Sequence, residues 1–379
     1  MKIAIYNVTA TTHFGGLETY GWEVGKALAA RGHEVWIVAG EGGSARNDAV
    51  QLKTFKFTER GCFPNLGTRF RKLVERLSFA KNAVPWLVEQ KFDAIIINKP
   101  FDMPALWWAR RKGAKAVTVF RSGGTDFFQM DRFFAQAVDL WLSTSRYNAQ
   151  QIEARYGREV TLVPNGVDVG RFAVGSHAIV ASNTYLREQY LIPATAPLIV
   201  SVGRLIGWKG LHVIVEALVK VPEAHYLIIG KGDERARLEA LAQQCGVTKR
   251  VHFAGVQQHA DLPALLGAAD IFVQPSIGEE AFGISVVEAM SCGLPAVVSR
   301  NGGMVEIVED GATGYLLPPG DVNAWATTLA KLANDALLRQ QLGQAARQHV
   351  EANFTWAANA EKLEFLIGRK VANKRIADD

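Results

Sequence analysis

A chain of 379 residues that is 49% hydrophobic is long enough for two domains with large cores, and its balanced composition excludes a disordered or fibrous protein. Its charge is uneven: residues 1–170 hold 23 Lys and Arg against 16 Asp and Glu, a net of +7, whereas residues 171–379 hold 19 against 21, a net of −2. The three cysteines, Cys62, Cys245 and Cys292, lie far apart without metal-type spacing, which fits a reducing compartment, and no apolar run approaches the roughly 18 residues of a membrane span.

The N-terminus, Lys2–Val8, is too short and polar for a signal peptide and reads as a first strand, so a cytoplasmic location is expected. Strand-like runs follow at Val35–Ala39, Ala94–Ile97, Ala116–Phe120, Leu140–Ser143 and Val160–Val163. Helical segments such as Leu17–Ala30 and Arg146–Tyr156 separate them. The pattern restarts at Leu198–Val202 and continues through Tyr226–Ile229, Val251–Phe253, Ile271–Val273 and Ala296–Val298. Residues 168–195 carry little strand signal and are expected to form a linker. From Ala324 onward the chain reads as amphipathic helices. Such alternation predicts an α/β protein with two Rossmann-like, doubly wound parallel-sheet domains. Residues 1–170 form the first domain and 171–355 the second.

In sheets of this kind ligands bind beyond the C-terminal ends of the strands, so chemistry is sought on the loops there. After the first strand come His13, Gly15 and Gly16, then a helix. Paired glycines let backbone N–H groups approach a phosphate or a sugar; a plain tight turn is the competing reading. After the strand ending at Phe120 come Arg121, Gly123, Gly124 and Asp126, with a structural Arg121–Asp126 ion pair as the alternative to ligand contact. Gly203-Arg204 and Gly207-Trp208-Lys209-Gly210 follow the strand ending at Val202. Two cations among glycines before a helix can neutralise a diphosphate as a bound metal would. Gly230-Lys231-Gly232 is a glycine turn, but Arg235 stands where a dinucleotide fingerprint needs its third glycine.

The run from Gln274 to Gly293 is the densest in chemistry. Ile271–Val273 ends at Gln274-Pro275-Ser276, Glu279 and Glu280 follow, and a helix is expected from near Ile284 to before Gly293. Glu288 is the lone charge on that apolar helix, costly unless something hydrogen-bonds it or it faces water. Its sharper reading is that Glu280 and Glu288 both face a ligand rich in hydroxyl groups.

Glu280-Ala281-Phe282-Gly283 with Glu288 resembles the E-x7-E motif of the retaining family-4 glycosyltransferases. Arg204 and Lys209 resemble that family's R-x4-K pair. The resemblance implies the GT-B fold, with the two domains facing across a cleft and the last helix, from about Trp356 to residue 379, returning to the first domain. It implies that Glu280 contacts the donor sugar, that Glu288 holds the nucleotide ribose, and that Arg204 and Lys209 stabilise the leaving diphosphate. Gly15, Gly16, Gly203, Gly230, Gly232, Val256, Phe282, Gly283 and Ile284 are implied to border the donor. Many relatives carry a His near Gly123 that touches the donor sugar. Here it is missing, which leaves Arg121, Asp126 and His13 as candidates for sugar or acceptor contact.

The implied reaction moves a sugar from a nucleotide diphosphate sugar to the hydroxyl of a glycan, lipid-linked or small-molecule acceptor. The nucleotide sugar is a co-substrate; no cofactor and no metal are expected, and the sequence holds no Asp-x-Asp. A nucleotide-sugar epimerase or hydrolase and a noncatalytic binding protein remain as alternatives; the broken glycine fingerprint disfavours an NAD oxidoreductase. The basic first half suggests phosphate-bearing acceptors or an anionic membrane rather than nucleic acid, with a simple solvated surface as the alternative. Arg69, Arg71, Lys72, Arg76 and Lys81, interleaved with Phe70, Leu73, Leu77, Phe79, Val84 and Trp86, form the stretch that could lie on the inner membrane face.

Overall fold

The computed structural model describes residues 1–13, 15–43, 45, 47–124, 126–173 and 185–378. The chain divides into two compact units, residues 1–165 with 356–379, and residues 166–355.

The first unit is built on seven strands: β1 (Lys2–Tyr6), β2 (Glu34–Gly40), β3 (Gln51–Phe55), β4 (Ala94–Ile97), β5 (Val117–Ser122), β6 (Leu140–Ser143) and β7 (Thr161–Leu162). All pairs are parallel, in the order β3-β2-β1-β4-β5-β6-β7. Helices cover the sheet, so the central strands read as continuous apolar runs; Ile95, Ile96 and Ile97 are wholly buried. Local signals fix the helix ends. Helix Arg146–Tyr156 starts where Ser145 Oγ accepts the Asn148 N–H and stops at Gly157, whose φ is 62°. Helix Trp356–Asp378 belongs to this unit: Tyr20 and Trp356 rings lie 6.0 Å apart, Glu364 pairs with Arg31, and Lys374 Nζ reaches Asp139 at 2.8 Å.

In helix Thr68–Glu89 the basic stretch divides between the core and the surface. Phe79 and Val84 enter the core and Trp86 packs on it. Arg76 is no part of a solvated face: it is 3% exposed and paired with Asp102. Arg69, Phe70, Leu77 and Lys81 remain exposed. Among the described residues no helix is long and apolar enough to cross a membrane.

The second unit holds β8 (Leu198–Val202), β9 (His225–Ile229), β10 (Val251–Gly255), β11 (Ile271–Gln274), β12 (Ala296–Ser299) and β13 (Gly314–Leu317). These too are all parallel, in the order β10-β9-β8-β11-β12-β13. The expected linker is corrected here. Residues 174–184 of that stretch lie outside the described residues, but Phe172, Leu186 and Ile192, on either side of them, are buried in the core of the second unit. Hydrophobic burial, which the absence of strand periodicity does not reveal, ties these residues down.

Candidate functional site

In each sheet the strand order reverses at the centre, between β1 and β4 and between β8 and β11. The loops that leave such neighbouring strands part and open a crevice at the C-terminal edge. In the second unit those are the loops that carry Arg204 and Lys209, after β8, and Glu280, after β11.

These two loops nevertheless touch. The N–H groups of Ile277 and Gly278 donate to the Trp208 carbonyl at 2.9 and 3.0 Å. Gly210, at φ 66°, lets Pro275 approach so closely that a Cβ would sit 2.0 Å from the Pro275 carbonyl oxygen. The result is an ion pair between Lys209 Nζ and Glu280 Oε1. The same oxygen accepts from Gln274 Nε2 at 2.9 Å and Ser276 Oγ at 3.0 Å. Gln274 is itself held, its Oε1 accepting from Ser285 Oγ at 2.9 Å. The Glu280 carbonyl accepts the Gly303 N–H at 2.8 Å. Glu280 is thus fixed through both side chain and backbone. Arg204 is exposed and forms no ion pair with a described residue; with Gly203, Lys209 and Gln274 it lines a small cavity at the β8 and β11 edges.

Helix Ile284–Ser291 follows the loop, with Gly283 at φ 129° before it. Glu288 does not turn to water. It is 5% exposed, and its Oε1 lies 2.7 Å from His259 Nε2. Burial and the Glu288 carboxylate push the nearby Cys292 thiol up to about 12, so this cysteine is inert as a nucleophile at neutral pH. Ile284 is partly buried against the core. Phe282, at the start of this segment, is buried and packs edge-on to Phe354 at 5.8 Å. Gly230 and Gly232 bring the loop after β9 against the loop after β8; the Leu205 N–H donates to the Lys231 carbonyl at 3.0 Å. Val256 is exposed beyond β10.

In the first unit, Gly15 caps and Gly16 opens helix Gly16–Ala30 after β1, and both are exposed. His13 is exposed, its Nδ1 2.9 Å from Thr12 Oγ1. Beside them Glu18 is buried and accepts from Thr9 Oγ1 at 2.6 Å. Burial pushes its carboxyl up, but Lys99 and the Thr9 hydroxyl outweigh that and hold it below the usual value. The expected Arg121–Asp126 pair is not formed. Arg121 is 1% exposed, stacks on the Tyr20 ring at 3.8 Å and donates to Asn165 Oδ1; burial pushes it down to about 10. A side chain so enclosed is a packing element of the first unit. Asp126 instead takes Lys72 Nζ at 2.5 Å.

Sequence reading missed His259, Lys99 and the structural use of Gln274 and Ser276. His259 had one weak signal, its place in the loop beyond β10. Lys99 follows β4 at the first switch point, where burial and Arg76 push its ammonium down to about 8. Nothing in the spacing of either residue announces its partner.

The family pattern described as "Glycosyltransferase Family 4" matches residues 14–171, and the one described as "Glycosyl transferases group 1" matches residues 182–349. A GDP-mannose-dependent alpha-(1-6)-phosphatidylinositol monomannoside mannosyltransferase of Mycolicibacterium smegmatis is 30% identical over 286 residues, 70% of this chain and 74% of that protein. A D-inositol 3-phosphate glycosyltransferase of Xylanimonas cellulosilytica is 28% identical over 376 residues, 90% of this chain and 88% of the relative. The matched share of the curated relatives' own length runs from 50% to 90%. Among solved structures, sucrose-phosphate synthase from Thermosynechococcus elongatus superposes with a TM-score of 0.83 at 24% identity, covering 98% of this chain and 99% of that one; this likeness shows the two-unit GT-B fold. With a family pattern matched in each unit and a relative 30% identical over 70% of the chain, the chain belongs to the family-4 glycosyltransferases.

Proposed function

We propose that the second unit binds a nucleotide diphosphate sugar at the β8–β11 switch point and that the first unit binds a hydroxyl acceptor, with transfer proceeding with retention and without a metal. One observation carries this reading: the folded second unit brings Lys209 and Glu280, far apart in sequence, into one ion pair beside the exposed Arg204. The sugar C1–O bond to the diphosphate breaks and a C1–O bond to the acceptor forms. The acceptor proton passes to an oxygen of the leaving diphosphate. Arg204 and Lys209 offset the charge that grows on that group, and Glu280 orients the sugar. The relatives named above act on inositol phosphate and phosphatidylinositol mannoside by their names, which supports a phosphate-bearing acceptor for a chain whose first half is basic.

A panel of nucleotide sugars, scored by nucleoside diphosphate release with and without acceptors and with EDTA, tests the reading. Release that depends on an acceptor and persists in EDTA is expected. Release without acceptor dependence favours a hydrolase. Loss in EDTA with recovery in Mg²⁺ or Mn²⁺ refutes the metal-free mechanism.

Peripheral contact with an anionic membrane is carried by the exposed Leu66, Phe70 and Leu77 next to Arg69 and Lys81. Vesicle sedimentation at low salt decides it; absence of salt-sensitive binding rules it out.

A further inference from the structure

Glu288 is held by a relay rather than by a single partner. Its Oε1 lies 2.7 Å from His259 Nε2, and the other ring nitrogen, Nδ1, lies 3.2 Å from Arg171 Nη2. A guanidinium can only donate, so Nδ1 must accept. The ring hydrogen therefore sits on Nε2 and is donated to Glu288. The three residues form one directed chain, from Arg171 through the ring of His259 to the carboxylate.

The ends of this chain are pinned to the same helix. The Arg171 N–H donates to Asp168 Oδ1 at 3.1 Å, which sets a turn. The next residue, Phe172, is wholly buried, and its ring lies 5.6 Å from that of His259. The Phe172 carbonyl accepts from Ser291 Oγ at 2.8 Å and from Arg347 Nη1 at 3.2 Å. Ser291 ends helix Ile284–Ser291, which also carries Glu288. The helix thus fixes the turn that carries Arg171, and Arg171 fixes the ring that orients the helix's own carboxylate. Glu288 Oε2 takes no hydrogen bond from any described residue.

We propose that His259 is the positioning residue for recognition of the donor's ribose: it holds Glu288 by Oε1 so that Oε2 is presented to the vicinal hydroxyls, with Arg171 fixing the ring tautomer. This rests on the reading that Glu288 binds the ribose. A carboxylate fixed through one oxygen keeps the other available for a diol without first losing rotamer freedom, which is the advantage of a preorganised contact. The hydrogen bond to the carboxylate is also what permits this charge so deep on an apolar helix.

Calorimetric titration of UDP, GDP and ADP, each paired with its 2′,3′-dideoxy form, tests the proposal. The tightest nucleotide serves as the probe, and the ratio of ribo to dideoxy affinity is the readout. Glu288→Ala should abolish the preference for the ribo form. His259→Ala should lower it about tenfold, the usual weight of a hydrogen bond to a charged group, with dideoxy affinity unchanged. His259→Gln, whose amide nitrogen can stand where Nε2 stood, should restore the preference. General loosening of the fold would weaken both nucleotides equally and leave the ratio alone. If Glu288→Ala keeps the preference, or if no nucleotide binds, the ribose reading falls and this proposal with it. If Glu288→Ala loses the preference while His259→Ala retains it, the proposal alone is overturned.

Discussion

Replacing Lys209 with alanine separates its two roles, since the ammonium both holds Glu280 and faces the small cavity where the diphosphate is proposed to bind. Lys209 and Glu280 are 15% and 12% exposed at the side chain. Removing Lys209 leaves Glu280 Oε1 with two neutral donors, Gln274 and Ser276. The carboxylate is therefore not orphaned, and the expected loss of stability is about 1–3 kcal/mol, below the ~3–5 kcal/mol that follows when a wholly buried charge loses its partner. Turnover should suffer more. Losing one preorganised group at the leaving oxygen costs ~100- to 1,000-fold in rate, or about 2.7–4 kcal/mol. Nucleoside diphosphate release measures the second effect and urea unfolding the first. Because the two side chains touch, a cycle with Lys209→Ala, Glu280→Ala and the double variant should show a coupling of about 0.5–3 kcal/mol in stability. A Lys209→Ala enzyme of normal rate refutes the mechanism, and strictly additive stability losses refute the pairing.

Three other perturbations probe the frame around the site. Asp102→Ala leaves the buried Arg76 without its carboxylate, so urea unfolding should show a loss of about 3–5 kcal/mol; a near-neutral change would mean that the pair is not formed in solution. Gly210→Ala places a Cβ 2.0 Å from the Pro275 carbonyl oxygen at a φ of 66°. It should cost about 1–3 kcal/mol and weaken nucleoside diphosphate binding by parting the loops after β8 and β11; unchanged affinity in calorimetry would show that those loops need not meet. His252 gives a pH effect of defined sign. Burial and the stacked His225, whose Nδ1 is 3.0 Å away, push it down to about 4, whereas an unfolded histidine titrates near ~6.5. The folded unit prefers the neutral ring, so its stability is intact above about 6.5 and falls as the pH drops towards about 4, where protons bind the unfolded chain first. Thermal midpoints against pH should show that acid limb, and His252→Gln should flatten it; identical limbs would exclude the pair as its source.

Much of the architecture was legible because buried parallel strands are short apolar runs between glycine-bearing loops. Ala94–Ile97, Leu140–Ser143 and Leu198–Val202 stand where their composition places them. β3 was not legible: Gln51-Leu52-Lys53-Thr54-Phe55 has neither an apolar run nor a strict alternation, and at the sheet edge it becomes a strand only by pairing with β2. β13 was hidden in the same way, its four residues from Gly314 to Leu317 reading as a loop until β12 pairs with them.

The amino-acid sequence by itself determined that this chain alternates strand and helix, that it does so twice, and that Arg204, Lys209, Glu280 and Glu288 stand at loops or helix starts beyond strands. Those features are local: hydrophobic period, glycine punctuation and motif spacing lie within a few residues of one another. Tertiary structure alone decided the partners. Lys209 meets Glu280 because β8 and β11, far apart in sequence, are neighbours in the sheet and the loops that leave them are hydrogen-bonded to one another at Trp208. His259 meets Glu288 across 29 positions of sequence, and Arg171 meets His259 across 88. Arg121 and Asp126, five positions apart, part company because β5 turns one into the core while Lys72 holds the other at the surface. Spacing along the chain places residues on elements, but a side chain's partner depends on which elements burial brings together, and in a parallel sheet those are always distant in sequence.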